Sequence, residues 1–360
     1  MTRQTRALIN LAALRHNLSV ARELAPNSQI LAVIKANGYG HGLEYIGQAL
    51  NDSDALAVAT LNEAIRLRQA GITLPIVLLE GVIRGEDLKR VEEYQLDLVV
   101  HQQQQIDLLT TYTPSNLTVW LKINTGMNRL GIAAANVDKS VVSLSKLNLS
   151  EIILMTHFAN ADDRNDPFTQ NQIEQFNNLR QPNRYKSSIA NSAGILNWSS
   201  SHLDWIRPGI MLYGVTPFNS GTGEELGLKS VMTLSSELIA VNQCKQGDCI
   251  GYGGSWCCPE TMSVGVVAIG YGDGYPRHIE DDTPVLVNGV RCPIIGRVSM
   301  DMLCVDLRHC QQAQPGDEVI LWGSTLPVEE IAAKAGTIAY ELLCQVTRRV
   351  EFEYIDIRSG

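Results

Sequence analysis

"ILAVIK", residues 30–35, is the stretch on which the reading of the chain turns. Five apolar residues end abruptly in Lys35, and Ala36-Asn37-Gly38-Tyr39-Gly40-His41-Gly42 follows with three glycines. A short apolar run bounded by glycines fits a strand buried on both faces, the kind found in parallel sheets. Seven further runs repeat the pattern: Ala55 to Ala59, Pro75 to Leu79, Leu96 to Val100, Leu117 to Ile123, Ile152 to Met155, Ser187 to Ala190, and Trp205-Ile206. Segments with apolar residues at i, i+3 and i+4 lie between them, among them Leu61 to Ala70, Gly85 to Tyr94, Gln102 to Thr111 and Pro167 to Leu179. Eight strand-helix units in about 230 residues predict an α/β fold, an N-terminal (β/α)8 TIM barrel. Neither GxGxxG nor GxxxxGK occurs to support a nucleotide-binding sheet.

Beyond residue 231 the rhythm changes. Val231 to Val241, Ser263 to Ile269, Val285 to Cys292, Leu303 to Leu307 and Val319 to Trp322 read as strands, with one helix at Val328 to Lys334. Asn288-Gly289 between two apolar runs is a two-residue hairpin signal. The expected domains are therefore a barrel over residues 1–231 and a mostly β C-terminal domain over 232–360.

Composition narrows the function classes. The 360 residues are 45% hydrophobic and 19% charged, with a net charge of −9. That balance suits a globular protein and argues against a nucleic-acid partner. No apolar run reaches the ~18–20 residues of a membrane helix. Met1-Thr2-Arg3-Gln4-Thr5-Arg6 is basic, but Asn10 to Leu18 reads as a capped amphipathic helix rather than a signal core, so a cytoplasmic protein is expected. All eight cysteines follow residue 240, with no C-x-x-C pair. They read as small buried thiols in a reducing compartment, neither a disulfide framework nor a metal site.

Active sites of barrels gather at the C-terminal ends of the strands. Lys35 ends the first strand there, as an amine nucleophile or proton acceptor, although a lysine at that place also serves merely to reach solvent. The fifth strand ends in Lys122 to Gly131 and includes Arg129. The sixth ends in Thr156-His157, the seventh in Ala190-Asn191-Ser192, and the eighth runs into Arg207-Pro208-Gly209-Ile210. Barrels often hold a phosphate between the loops after strands seven and eight, where Ser192 and the Gly209-Ile210 backbone supply neutral donors. A lysine able to form a Schiff base, beside a phosphate cradle, is what pyridoxal 5'-phosphate requires.

With these motifs in order, together with Gly270-Tyr271-Gly272-Asp273-Gly274-Tyr275-Pro276-Arg277 and Gly296-Arg297-Val298-Ser299-Met300-Asp301, the chain resembles the alanine racemases over essentially its whole length. The resemblance implies a pyridoxal-phosphate isomerase, active as a homodimer with shared sites, that interconverts L-alanine and D-alanine and supplies D-alanine for peptidoglycan. It implies that Lys35 carries the cofactor and acts as base on one face, and that Tyr252, in Gly251-Tyr252-Gly253-Gly254, acts on the other. A tyrosine with its ordinary pKa near 10 is a weak base at neutral pH and needs help from its surroundings. Tyr39, Ser192, Gly209, Ile210 and Tyr340 are implied phosphate ligands. Arg207 is implied to face the pyridine nitrogen and leave it unprotonated, which discourages side reactions, with His157 beside it. Arg129 and the backbone of Met300 are implied for the substrate carboxylate. Tyr271 lines the entrance, Asp301 supports its loop, and Lys122 matches a position often carbamylated. No metal is implied. Cys257-Cys258, beside the tyrosine loop, fits no pattern of the family. The neighbouring readings are a racemase with serine or broader range, a decarboxylase of the same architecture, and a non-catalytic cofactor carrier. Arg207-Pro208-Gly209 and Tyr252 argue against the decarboxylase, and the β-domain against the carrier.

Overall fold

The computed structural model describes residues 4–180 and 184–356. The Met1 to Arg3 start and the last four residues of the expected C-terminal domain lie outside them. The chain forms two compact units, one of Arg15–Leu212 with Pro217–Ser220, the other of Met1–Leu14, Tyr213–Thr216 and Gly221–Gly360.

The first unit is the expected barrel. Its strands, in order round the ring, are Gln29–Val33, Ala55–Val58, Ile76–Leu78, Asp97–Val100, Thr118–Asn124, Glu151–Met155, Lys186–Ser188 and Trp205–Ile206. Each pairs in parallel with the next, and Ile206 opposite Ile30 closes the ring. Ile30, Leu31, Leu56, Ile76, Val99 and Leu121 are fully buried, and Trp120 packs edge-on against Trp205 with ring centroids 5.3 Å apart. Helix Leu61–Gln69 shows why the alternation holds. Thr60 and Glu63 cap it reciprocally, and Ala64, Ile65 and Leu67 bury one face. A short strand, Ile132–Ala133, pairs with Ile123-Asn124, so the intervening loop that carries Arg129 is tied at both ends.

The second unit is built on a closed ring of six antiparallel strands: Met262–Val267, Leu303–Asp306, Val290–Ile295, Pro284–Val287, Glu318–Trp322 and Met232–Cys244. Asn288 and Gly289 take φ of 49° and 78°, the left-handed pair that a primed two-residue hairpin turn needs. Helices Val328–Lys334 and Ala339–Gln345 complete the unit. Among the described residues no helix is long and apolar enough to cross a membrane.

Two expectations are corrected. The expected boundary gives the barrel residues 1–231, yet Met1–Leu14, Tyr213–Thr216 and 221–231 belong to the β-rich unit. The cause is a strand not expected from sequence, Arg6–Asn10, which pairs with Met232–Cys244 on one side and Glu351–Ile355 on the other. Ala7 and Ile9 are its buried side chains. The following helix, Leu11–Leu24, begins as expected at Asn10, whose Oδ1 accepts the Ala13 N–H at 3.0 Å. The second correction concerns the cysteines. Cys249 and Cys257 form a disulfide, because two-residue strands, Cys249–Ile250 and Trp256–Cys257, set them directly opposite each other with Cα atoms 3.9 Å apart. The other six lie outside any disulfide; Cys258 and Cys292 are buried as expected, while Cys344 is exposed.

Candidate active site

Lys35 follows the first barrel strand and opens a turn of unusual hand. Ala36, Asn37, Gly38 and Tyr39 have φ of 54°, 56°, 65° and 50°, one turn of left-handed helix in which only one residue is glycine. Left-handed backbone costs a non-glycine residue ~1–2 kcal/mol, and such strain persists where the surroundings over-determine it. Here Gly38 N–H donates to Ile34 O, Gly40 N–H to Ala36 O and Gly42 N–H to Asn37 O, each at 2.9 Å. Buried His41 sets its Nδ1 2.8 Å from Tyr39 O and 3.1 Å from Gly38 O. Burial holds the His41 pKa down at about 4, so the ring is neutral, and its Nδ1 carries the proton because carbonyls can only accept. Asn37 N–H donates to the Glu63 carboxylate at 3.1 Å. Neither His41 nor Glu63 was singled out by the sequence reading; each sits in an ordinary-looking context.

Arg207 starts the segment after the eighth strand and is only 3% exposed. Its Nη1 donates to Ser188 Oγ at 2.7 Å and its Nη2 to Thr156 O at 2.6 Å, with His157 Nδ1 at 3.3 Å. Arginine has no acceptor, so His157 Nδ1 must accept and Nε2 must carry the proton. Burial first, then Arg207, Lys122, Arg129 and Lys35, drive the His157 pKa well below its ordinary value, which keeps the ring neutral. Burial lowers Arg207 to about 10, leaving it a cation at neutral pH. Gln172 fixes the loop after the sixth strand: its Nε2 donates to His157 O and its Oε1 accepts from Ala159 N–H.

Lys122 lies within the fifth strand and is buried. Its pKa is lowered to about 8 by burial first, then by Arg207, Arg129 and Lys35. All three charged neighbours that act on it are cations. Four positive groups thus share the C-terminal ends of the barrel strands, an arrangement that costs energy unless anions occupy it. Arg129 itself is exposed on its tied loop, whose turn is set by Asn124 Oδ1 accepting from Gly126 and Asn128 N–H.

A second group of contacts tests the site against a phosphate-bearing cofactor. Gly209 N–H donates to Ser192 Oγ at 2.9 Å, and Met211 N–H approaches the same oxygen at 3.4 Å. A Cβ on Gly209 would lie 2.6 Å from the Tyr39 hydroxyl, so only glycine leaves room for that close approach. Tyr39, Ser192 and the Gly209-Ile210 backbone therefore converge as neutral, buried donors. This donor set, with a strand-end lysine nearby and cations around it, fits pyridoxal phosphate.

The remaining expected residues belong to the β-rich unit. Tyr252 sits in the turn of the disulfide-closed hairpin and is 70% exposed. Tyr271 N–H donates to Ser299 O at 3.0 Å and Gly272 N–H to Met300 O at 2.9 Å, so the two motif loops are zipped together. Arg349 braces them, with Nη2 2.6 Å from Asp301 Oδ1 and Nε 3.3 Å from buried Asp273 Oδ1. Tyr271 and Met300 are 39% and 51% exposed. Tyr340 is half-buried on helix Ala339–Gln345. The barrel unit thus brings together Lys35, Tyr39, Lys122, Arg129, His157, Ser192, Arg207, Gly209 and Ile210; Tyr252, Tyr271, Met300, Asp301 and Tyr340 lie on the other unit.

The family model for the alanine racemase N-terminal domain matches residues 9–217, and that for the C-terminal domain matches residues 231–354. An alanine racemase of Nitrosococcus oceani is 52% identical over 347 residues, covering 96% of this chain and 97% of the relative. A biosynthetic alanine racemase of Escherichia coli is 48% identical over 353 residues, 97% of this chain and 98% of its own length. The crystal structure of the biosynthetic alanine racemase from Pseudomonas aeruginosa superposes with a TM-score of 0.95 at 42% identity, covering 98% of this chain and 99% of that one.

Proposed function

We propose a division of labour for the residues of this chain, which belongs to the alanine racemase family and is an isomerase interconverting L-alanine and D-alanine. The observation that carries it is the meeting of Lys35, Lys122, Arg129 and Arg207 beside the Tyr39, Ser192 and Gly209 donor set. Pyridoxal 5'-phosphate, when bound, supplies an electron sink that makes the alanine α-proton acidic. Lys35 would carry it covalently, and Tyr39, Ser192, Gly209, Ile210 and Tyr340 would hold its phosphate.

The chain's own groups then handle one proton and one carboxylate. The Lys35 amine takes or gives the α-proton on one face of the substrate, and the Tyr252 phenol does so on the opposite face. Arg129 and the Met300 backbone hold the substrate carboxylate. Arg207, held through Nη1 and Nη2 by Ser188, Thr156 and His157, keeps its proton because its pKa of about 10 lies well above that of a weakly basic ring nitrogen, so it would face that nitrogen without charging it. Restraint of this kind favours simple proton exchange. Tyr252, Tyr271 and Met300, all on loops of the β-rich unit, are exposed in the single chain. Their exposure supports a homodimer in which they complete the partner's site. A cytoplasmic enzyme supplying D-alanine for peptidoglycan is the setting most consistent with relatives named as biosynthetic.

Incubation of L-alanine, and separately of D-alanine, in D2O tests the reaction. Both enantiomers are expected to appear from either start, with deuterium at Cα. Release of CO2, or deuterium without enantiomer exchange, would overturn the assignment. L-serine run alongside measures substrate range.

Lys122 carries a separate expectation. With its pKa near 8, a useful fraction of its amine is unprotonated at neutral pH. That amine adds to CO2, losing a proton and giving a carbamate anion amid the cations that surround it. Enzyme equilibrated with 13C-bicarbonate should show one carbamate carbon per chain by NMR. The signal should weaken below about pH 7, as the amine protonates, and vanish in Lys122→Gln. No labelled signal at pH 8 would dismiss the modification.

A further inference from the structure

We propose that Cys249–Cys257 is a site of reversible thiol–disulfide exchange, acted on by a dithiol, that latches the loop presenting Tyr252. The proposal rests on Tyr252 acting as a base. The two cysteines are eight apart in sequence and enclose Ile250-Gly251-Tyr252-Gly253-Gly254-Ser255-Trp256. The strands on either side are two residues each and pair only with one another. So small a hairpin is marginal by itself. Its turn is also poor in constraint: Gly251, Gly253 and Gly254 have φ of 69°, 77° and 53°, and glycine loses the most freedom on ordering.

What holds the hairpin divides into base and turn. At the base, Cys258 N–H donates to Asp248 O and Gly247 N–H to Cys258 O, both at 2.8 Å. Ile250 and Cys258 are buried with Met262, Val264 and Ile295, and Trp256 packs against them. Around Tyr252 the turn has one backbone bond, Gly254 N–H to Gly251 O at 3.2 Å. Two groups pack next to it: the disulfide, since a Cβ on Gly254 would lie 3.1 Å from Cys249 Cβ, and the flexible Arg297 side chain, whose Nη1 would lie 3.3 Å from a Cβ on Gly253. Opening the bridge leaves the base anchored and frees the turn.

The chemistry favours an external partner. Cys249 and Cys257 are exposed. The free thiols Cys258 and Cys244 lie close by, but burial first, and then Cys244, push the Cys258 pKa up, so Cys258 stays a thiol and does not attack. A thiolate of the dithiol attacks one bridge sulfur, forming a mixed disulfide and releasing the other cysteine, which takes a proton. The second thiol of the reagent displaces the remaining cysteine and leaves as its own disulfide. Two electrons and two protons pass to the protein, and the reagent loses both. An oxidised dithiol reverses every step. A bridge opened and closed in this manner is the kind found inside cells, where lasting structural disulfides are rare.

Holoenzyme treated with dithiothreitol and freed of reagent under argon tests the latch. Alkylation and mass spectrometry should count two new thiols. Hydrogen exchange over the peptide spanning residues 245–258 should quicken in the turn. Turnover should fall roughly tenfold, short of the ~100-fold that a 1 Å misplacement costs, with KM changing less, and oxidised dithiothreitol should restore it. The double variant Cys249→Ser, Cys257→Ser should show the reduced enzyme's turnover and ignore both reagents. An opened bridge with unchanged turnover and exchange would overturn the latch, as would a double variant as fast as the oxidised enzyme. If Tyr252→Phe racemises normally, the reading of Tyr252 has failed and the latch with it. If Tyr252→Phe is inactive but reduction changes nothing, the latch alone has failed.

Discussion

Lys35→Ala should lose the visible absorbance of lysine-bound cofactor and at least about ten-thousandfold in kcat/KM, the upper end of what a positioned proton-transfer group contributes. That loss corresponds to about 5 kcal/mol of transition-state stabilisation. Two functions disappear together, since the same amine would tether the cofactor and move the proton. Lys35→Arg separates them from charge. A guanidinium keeps the positive field but offers no free amine at neutral pH, so it should be nearly as inactive. The variants should also report on the site's electrostatics. Lys35 is one of three cations that depress Lys122. In Lys35→Ala that repulsion is relieved, and the Lys122 pKa should move up from about 8, while in Lys35→Arg it should stay low. Retained absorbance with retained turnover in Lys35→Ala would remove this lysine from the mechanism. Circular dichroism of both variants guards against misfolding.

The barrel was legible because most of its strands carry a buried apolar run; the seventh, Lys186–Ser188, is the exception. All eight runs proved to be strands, and Lys35, His157, Ser192 and Arg207 stand just beyond the strand ends where they were sought. What was not legible depends on contacts rather than on local pattern. Ala36, Asn37 and Tyr39 adopt left-handed φ, which no propensity predicts; the turn is imposed by Ile34, Glu63 and His41 around it. Arg6–Asn10 is a five-residue strand whose alternation is too short to stand out, and only its partners Met232–Cys244 and Glu351–Ile355 define it. The disulfide needed knowledge that two-residue strands would set Cys249 opposite Cys257. Tyr252 is proposed as a base only through the family resemblance: by its own neighbours, an exposed tyrosine among glycines is an ordinary loop residue.

Tyr252→Phe should keep the cofactor absorbance and lose about a thousandfold in racemisation, within the range of a single acid-base group. The loss in kcat/KM must be equal in both directions. Enantiomers have the same standard free energy, so no substitution can make one direction alone slow at that level. The asymmetry belongs elsewhere, in exchange with solvent. With Tyr252 gone, Lys35 still serves one face. The enantiomer whose α-hydrogen points to Lys35 should lose it to the amine, whose protons trade with D2O, and regain deuterium from the same side. That enantiomer should become labelled with its configuration intact, while its mirror image, facing the phenylalanine, should stay unlabelled. Single-face exchange is a signature that a merely structural tyrosine would not leave, because a distorted site would slow both enantiomers alike. Equal labelling of both, or unimpaired racemisation, would exclude Tyr252 as the second base.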